Sequence, residues 1–367
     1  RKKQGLAPKE RMPRPEDPRA RQDNFIAHDA DWIRFQATLG TSADQIAVAP
    51  GYLQREWREG GRRYFHYRMD APMLHFYSIN SARYAVAQSR WRDVAIQVFH
   101  HPTHTYNVRR MMGAVQRSLD YYAAAFGPYQ HRQVRILEFP RYAPFAQSFA
   151  NTIPYSEGVG FIARVREDED DVDYPFYITA HEVAHQWWGH QVVGAAAAGT
   201  PLLSESLSEY SALMVMEQRY GPRQMRKFLK HVLDEYLQGR TFESKRETPL
   251  LYAEGQQYVH YQKGGLAFYA LRDALGEERL NAALRGYLQR VKFQQPPYTT
   301  SLELYRHLQA ATPDSLRPFL ADLFERITLY ENRVTRARAT RRPDGRYAVE
   351  LTVVGRKVYA DSLGNET

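Results

Sequence analysis

Apolar and polar positions along the 367-residue chain fall into three textures. From Phe25 to about Val94 they alternate. Ile33, Phe35, Ala37 and Leu39 are separated by Arg34, Gln36 and Thr38, the two-residue period of a half-buried strand. Glu59-Gly60-Gly61-Arg62, followed by renewed alternation over Tyr64 to Met69, predicts a hairpin. After a strand at Val94 to Phe99 the spacing becomes helical. Val108, Met111, Val115, Leu119 and Tyr122 mark one face of a helix over Tyr106 to Phe126, stopped by Gly127-Pro128, and Val134 to Leu137 reads as a further strand. Helical patterns continue at Leu203 to Arg219, Pro222 to Gly239, Glu277 to Lys292, Ser301 to Ala311 and Ser315 to Ile327. From Val334 alternation returns, with Pro343-Asp344-Gly345 as the turn between two strands. The expected class is α+β: a basic arm over 1–22, a β-rich part over 23–95, a mainly helical domain over 96–330 and a second β part over 331–367.

One run inside the helical part carries chemistry. His181 and His185 of His181-Glu182-Val183-Ala184-His185 are four apart, so on a helix both imidazoles leave one face about 6 Å apart along the axis. That spacing suits a single zinc ion, and Glu182 sits beside the face, placed to take a proton from a zinc-activated water without being a ligand. A five-residue pattern of this kind also occurs by accident. A third ligand is offered by Glu205, on a second helical pattern expected to pack antiparallel to the first. Glu209, one turn later, would orient His181 or His185 through the other ring nitrogen. A solvated helix face is the alternative reading for both glutamates. The metzincin pattern is excluded, because it needs glycine where this chain has Trp188 and histidine one position after His190. On a continued helix His190 would point about 140° away from His185, which makes it a structural or supporting residue.

Charge and composition narrow the partners. The net charge is +9, and residues 1–22 alone hold eight Lys or Arg, three acids and four prolines, the composition of a flexible basic arm or linker. Without interleaved aromatics or a binding module this predicts no nucleic-acid partner, and contact with anionic lipid is the better of the two readings. Cysteine is absent, so there is no disulfide framework and the redox compartment stays open. No apolar run reaches the ~18 residues that would span a membrane. The first residue is Arg1, which suggests a piece of a longer protein, with any signal peptide or anchor outside this chain. The acidic run Glu167 to Asp171 reads as a solvated loop.

His181-Glu182-Val183-Ala184-His185-Gln186-Trp187-Trp188-Gly189, followed by Leu203-Ser204-Glu205 and Glu209-Tyr210, resembles the zinc site of the gluzincin aminopeptidases, the family of aminopeptidase N. The resemblance implies a zinc cofactor, a thermolysin-like catalytic domain flanked by partial β-sheet domains, and peptide substrates. The interval Gln186 to Ser204 is one residue longer than the family's, and the Gly194 to Gly199 loop is expected to absorb the difference. Asn151 to Ile162 is similar to the family's Gly-x-Met-Glu-Asn strand. It implies that Glu157 holds the substrate's α-amine and that Gly158 belongs to the backbone that pairs with substrate. Tyr261-Gln262-Lys263-Gly264 resembles the family's Tyr-x-Lys-Gly motif, which implies that the Tyr261 hydroxyl stabilises the tetrahedral intermediate; Tyr258 is expected to stack on the same face. The implied activity is removal of N-terminal residues by a metal-activated water with Glu182 as base. An endopeptidase or other hydrolase on the same site, and a non-catalytic peptide-binding or regulatory module, stay open as alternatives. The motif style is most similar to bacterial members, some of which follow transporter-type membrane helices, and so implies a soluble domain of a membrane-attached protein.

Overall fold

In the computed structural model, which describes residues 4–7, 10–166, 171–243 and 247–367, the alternating N-terminal part forms small antiparallel sheets. β1 (Trp32–Ile33) pairs with β6 (Met73–Leu74), β3 (Ile46–Val48) with β7 (Asn80–Ala82), and β2 (Gln36–Ser42), β5 (Arg62–Arg68) and β4 (Tyr52–Glu59) lie in the order β2-β5-β4. The single strand expected over Ile33 to Leu39 is therefore two, broken where Phe35 joins a small core with Phe65, Tyr67, Met69 and Met73. Gly60 and Gly61 make the β4–β5 turn with φ of 54° and 73°, left-handed at both positions as a two-residue hairpin of matching twist requires.

A four-stranded sheet then forms in the order β11 (Thr152–Ser156), β10 (Gln133–Phe139), β9 (Val94–His100), β8 (Ala85–Trp91). β9, β10 and β11 are parallel, and β8 is antiparallel to β9. The boundary expected between 95 and 96 runs through β9, because ladder hydrogen bonds tie the β8–β9 hairpin to the sheet of the helical part. The outer edge of β11 is covered by the segment 145–149: the Gln147 N–H donates to Pro154 O at 3.0 Å, and the Ser156 N–H donates to Phe145 O at 3.0 Å.

α1 (Val108–Ala125) crosses between β9 and β10. α2 (Tyr174–Ala184), α3 (Leu207–Tyr220), α4 (Met225–Thr241), α5 (Gly264–Leu275), α6 (Glu277–Val291), α7 (Ser301–Ala311) and α8 (Arg317–Phe324) follow. One core runs from Val94 and Ile96 through Met111, Leu119, Trp187 and Leu213 to Leu320 and Phe324. The last element is a long hairpin of β12 (Ile327–Arg341) and β13 (Tyr347–Ala360), exposed along most of its length and turned at Gly345 with φ 82°. It starts before the expected boundary at 331.

From residue 10 onward the basic arm packs on the protein instead of standing free. The Ala198 N–H donates to Pro13 O at 2.8 Å, Arg11 Nε pairs with Glu254 at 2.7 Å, and Arg21 reaches Tyr298 O and Glu303. Asn24 bridges to Ala195, and the Ala196 N–H donates to Asp23 O at 2.9 Å. The paired arginines leave less charge for an anionic lipid than composition alone implied. Residues 1–3, 8–9 and most of the acidic run, 167–170, lie outside the described residues. No helix among the described residues is long and apolar enough to cross a membrane.

Candidate metal centre and its cleft

α2 begins where the Asp173 side chain accepts from the Phe176 N–H at 3.2 Å, with Pro175 in the first turn, where a missing N–H costs nothing. It ends at Ala184, with His185 as the cap, and the chain turns sharply at Gly189, φ 150°. His190 is therefore off the helix, and the 140° projection does not apply to it. Its Nε2 lies 3.1 Å from Ser148 O, and burial holds its pKa down to about 4.

Glu205 sits in a π-helical turn, Leu202–Ser206, that leads into α3. A π turn takes in one residue more than an α turn, a winding able to accommodate one extra residue at the helix start. A second π turn, Tyr258–Lys263, carries Tyr261 and leads into α5. The two turns abut because position 264 is glycine: a Cβ there would stand 2.0 Å from Ser206 Oγ. The Tyr261 ring stacks on His181, centroids 5.7 Å apart and 28° from parallel. Tyr258 does not share that face. The wider winding turns it toward Tyr236, at 6.0 Å, and its hydroxyl donates to Glu243.

Four donors converge. Glu205 Oε2 is 3.3 Å from His181 Nε2 and 3.4 Å from His185 Nε2, while His181, Glu182 and His185 offer ligand atoms within 4.8 Å of one another. His185 Nδ1 faces Trp188 O at 3.0 Å and Ser208 Oγ at 3.1 Å, which leaves Nε2 for the cluster. His181 Nδ1 is 3.0 Å from Glu209 Oε1, although outside hydrogen-bond geometry, and Glu209 in turn accepts from the Tyr177 hydroxyl.

Burial acts to lower the His181 imidazole, but the Glu205 and Glu209 carboxylates outweigh it and hold it well above its ordinary value. His185 is raised against its burial, chiefly by Glu205. Glu205 is held well below the carboxylate range, because His185 and His181 outweigh its own burial. Burial pushes Glu182 up, and its Oε2 is buried without a hydrogen-bond partner. Burial first and the Glu205 carboxylate second push the Tyr261 hydroxyl far above its usual value, so it keeps its proton.

This donor set fits zinc. Ligands at about 2.0–2.1 Å around a tetrahedral ion lie about 3.3–3.4 Å from each other, and Glu205 Oε2 stands at that distance from both imidazole nitrogens. Two imidazoles and a carboxylate leave one of four positions open, the pattern of a catalytic site.

The cleft beside the cluster has a volume of about 260 Å³ and is lined by Phe25, Ile26, Phe76, Gln147, Ser148, His185, Gly189, His190, Ser204 and Glu205. A larger cavity of about 490 Å³ lies on the other side of His190, walled by Trp32, Met73, Leu74 and Phe293, and is lined by none of His181, Glu182, His185 and Glu205.

Residues 110–323, more than half of the chain, match the Peptidase family M1 domain. The chain belongs to peptidase family M1. It is similar to Endoplasmic reticulum aminopeptidase 2 of Homo sapiens, 24% identical over 208 residues, which cover 55% of this chain and 22% of that one. It is also similar to Putative aminopeptidase-2 of Caenorhabditis elegans, 29% identical over 119 residues, or 32% of this chain and 6% of the other. The chain thus spans about a fifth or less of the length of these relatives. In fold it resembles the M1 zinc metallopeptidase from Deinococcus radiodurans, with a TM-score of 0.62 at 16% identity over 81% of this chain and 64% of that one. A mutant M1 zinc metallopeptidase from the same organism, bound to a Tyr-Ser-Ala substrate, gives 0.62 at 16% identity, 81% and 65%. The shared architecture is the mixed α and β M1 fold.

Of the residues singled out from sequence, the M1 fold brings His181, Glu182, His185, Glu205, Glu209 and Tyr261 together. It does not bring Glu157 and Gly158 to them. Glu157 follows β11, whose outer edge is occupied by 145–149, and it lines a different pocket with Glu138 and His101. Gln147 and Ser148 take the place beside the metal donors. Sequence reasoning missed both, and also Ser208, Tyr177 and the wall residues Phe25, Ile26 and Phe76. Tyr177, one turn before His181, and Ser208, three after Glu205, lay at readable helical spacings. Phe25 and Ile26 gave no signal.

Proposed function

We propose that this M1 protein is a zinc-dependent aminopeptidase in which His181, His185 and Glu205 hold the metal. The observation that carries the reading is the convergence of those three donors with the unpartnered oxygen of Glu182 and the protonated Tyr261 hydroxyl. When bound, zinc supplies Lewis-acid polarisation of a carbonyl and lowers the pKa of a water toward neutrality. Glu182 removes the proton from the attacking water and passes it to the departing amine. Tyr261 donates to the oxygen on which negative charge builds. Glu209 and Ser208 fix the two imidazole rings from behind.

The strand-like segment 145–149 turns the N–H and C=O of residues 145, 147 and 149 toward β11. The alternate groups, at Ala146 and Ser148, face away from it; the Ser148 carbonyl already meets the His190 ring, and an extended peptide would pair by strand addition with the groups left open. Aminopeptidase action is supported by the names of the relatives and by a cleft of about 260 Å³, smaller than the ~300 Å³ at which ligand pockets usually begin.

One observation favours a second reading, an endopeptidase on the same centre. With Glu157 elsewhere, the cleft lining among the described residues offers no carboxylate beyond Glu205 to hold a free amine. Turnover of aminoacyl fluorogenic substrates beside their amino-blocked counterparts separates the two, and cleavage of the blocked series at equal rates would replace the first reading by the second. Glu182→Gln is expected to keep the zinc of this centre and lose turnover by about 10²–10⁴-fold; normal activity in that variant would remove the assigned base.

A further inference from the structure

Glu157, absent from the cleft, belongs to a second group of metal-type donors. β9, β10 and β11 run parallel, and their C-terminal ends deliver His101 and His104 just past β9, Glu138 within the end of β10, and Glu157 immediately after β11. The carboxyl ends of parallel strands are where open α/β sheets gather ligands.

His104 Nδ1 contacts Glu138 Oε1 and stands 3.9 Å from Glu157 Oε2. One ligand atom from each of His104, Glu138 and Glu157 lies within 4.8 Å of the others. The His101 ring, 4.6 Å from that of His104, lines a pocket of about 310 Å³ together with Glu138, Glu157 and Tyr84. Glu138 is 5% exposed, and its carboxylate meets the His101 N–H at 2.5 Å and the His104 ring, with no Lys or Arg ion pair among the described residues. A buried carboxylate so placed favours a positive partner.

The nearby cations do not fill that role. Arg83 is turned to Asp44, and Arg141 is largely exposed, meeting Glu157 at 4.0 Å through Nε and at 3.2 Å through its backbone N–H. Both Arg141 contacts engage Oε1 of Glu157 and leave Oε2 toward His104.

We propose that His104, Glu138 and Glu157 form a second site, for a divalent transition-metal ion of the zinc or manganese type. One imidazole with two carboxylates matches those ions, whereas calcium selects oxygen donors alone. None of the three lines the peptidase cleft, so the inference does not rest on the peptidase reading. The ion would clamp the ends of three strands beside a pocket that Gln45, Ser81 and Tyr84 also line, where the N-terminal sheets meet the helical part.

The test counts metal in the whole chain after chelation and reloading with zinc alone, by elemental mass spectrometry. Wild type is expected to take two equivalents, Glu157→Gln one, and His185→Ala one. Should Glu157→Gln fail to fold, His104→Asn gives the same count. One equivalent in wild type, or two retained in the folded Glu157→Gln protein, overturns the proposal. In the His185→Ala background, zinc should raise the melting temperature by a few degrees, roughly 1–2 kcal/mol of binding linkage. No shift there overturns it as well, whatever the peptidase centre does.

Discussion

Replacing Tyr261 by Phe removes one oxygen from the metal centre and leaves the ring. The stacked contact with His181, 5.7 Å between centroids, survives the change, as does the π turn whose backbone positions it. What disappears is a hydroxyl that burial and the Glu205 carboxylate keep protonated, hence a donor at every working pH. A single preorganised donor to a developing oxyanion is worth about 2.7–4 kcal/mol, a loss of about 10²–10³ in kcat. Because that contact is made only in the transition state, kcat and kcat/KM should fall together with KM unchanged. Stability should shift by less than about 1 kcal/mol, since no packing atom other than the oxygen is deleted. The assay is steady-state kinetics on an aminoacyl fluorogenic substrate, with metal content and thermal melting on the same preparation. A kcat within about threefold of wild type would reduce Tyr261 to a packing residue. A loss of zinc would mean that the ring positions the ligands instead.

Two further changes probe the surroundings of the centre. Tyr177→Phe deletes the hydroxyl that donates to Glu209, the carboxylate facing His181 Nδ1. Outer partners of this kind are worth about 10–100-fold in metal affinity, so chelator competition should show weaker zinc binding, and an unchanged affinity would sever Glu209 from the site. Acid should destabilise the fold before it protonates the carboxylates. Burial holds His131 down to about 3, far below its unfolded value near 6.5. The unfolded chain therefore binds more protons as pH falls below about 6.5, and stability present above that pH is lost at up to about 1.4 kcal/mol per pH unit. Melting temperatures at pH 7 and pH 5 check this, and His131→Phe should flatten the slope; an equal slope in that variant would refute the assignment.

Local periodicity made much of the molecule legible. α1, α6 and α7 fall within a few residues of their patterns, because an amphipathic stripe needs no knowledge of what covers it. The two-glycine hairpin turn was equally local. His181, Glu182 and His185 could be named for the same reason: a spacing of four along a helix and its cap sets its own geometry. The stop at Ala184 was not readable, because Gly189 and the burial of Trp187 and Trp188 end the helix through contacts made elsewhere.

The sequence by itself therefore singled out the His181 and His185 pair with Glu182 and marked many of the helices and strands, since both follow from short-range spacing. Only the tertiary structure decided which groups meet. It brought Glu205 and Tyr261 onto the histidines through two π turns packed at Gly264, and it set Phe25 and Ile26, just past the N-terminal arm, in the cleft wall. It also covered β11 with 145–149 and so sent Glu157 to His104 and Glu138. Those outcomes depend on pairing between residues far apart in the chain, where a one-residue change in register moves a side chain to the other face of a strand, and no local pattern records that choice.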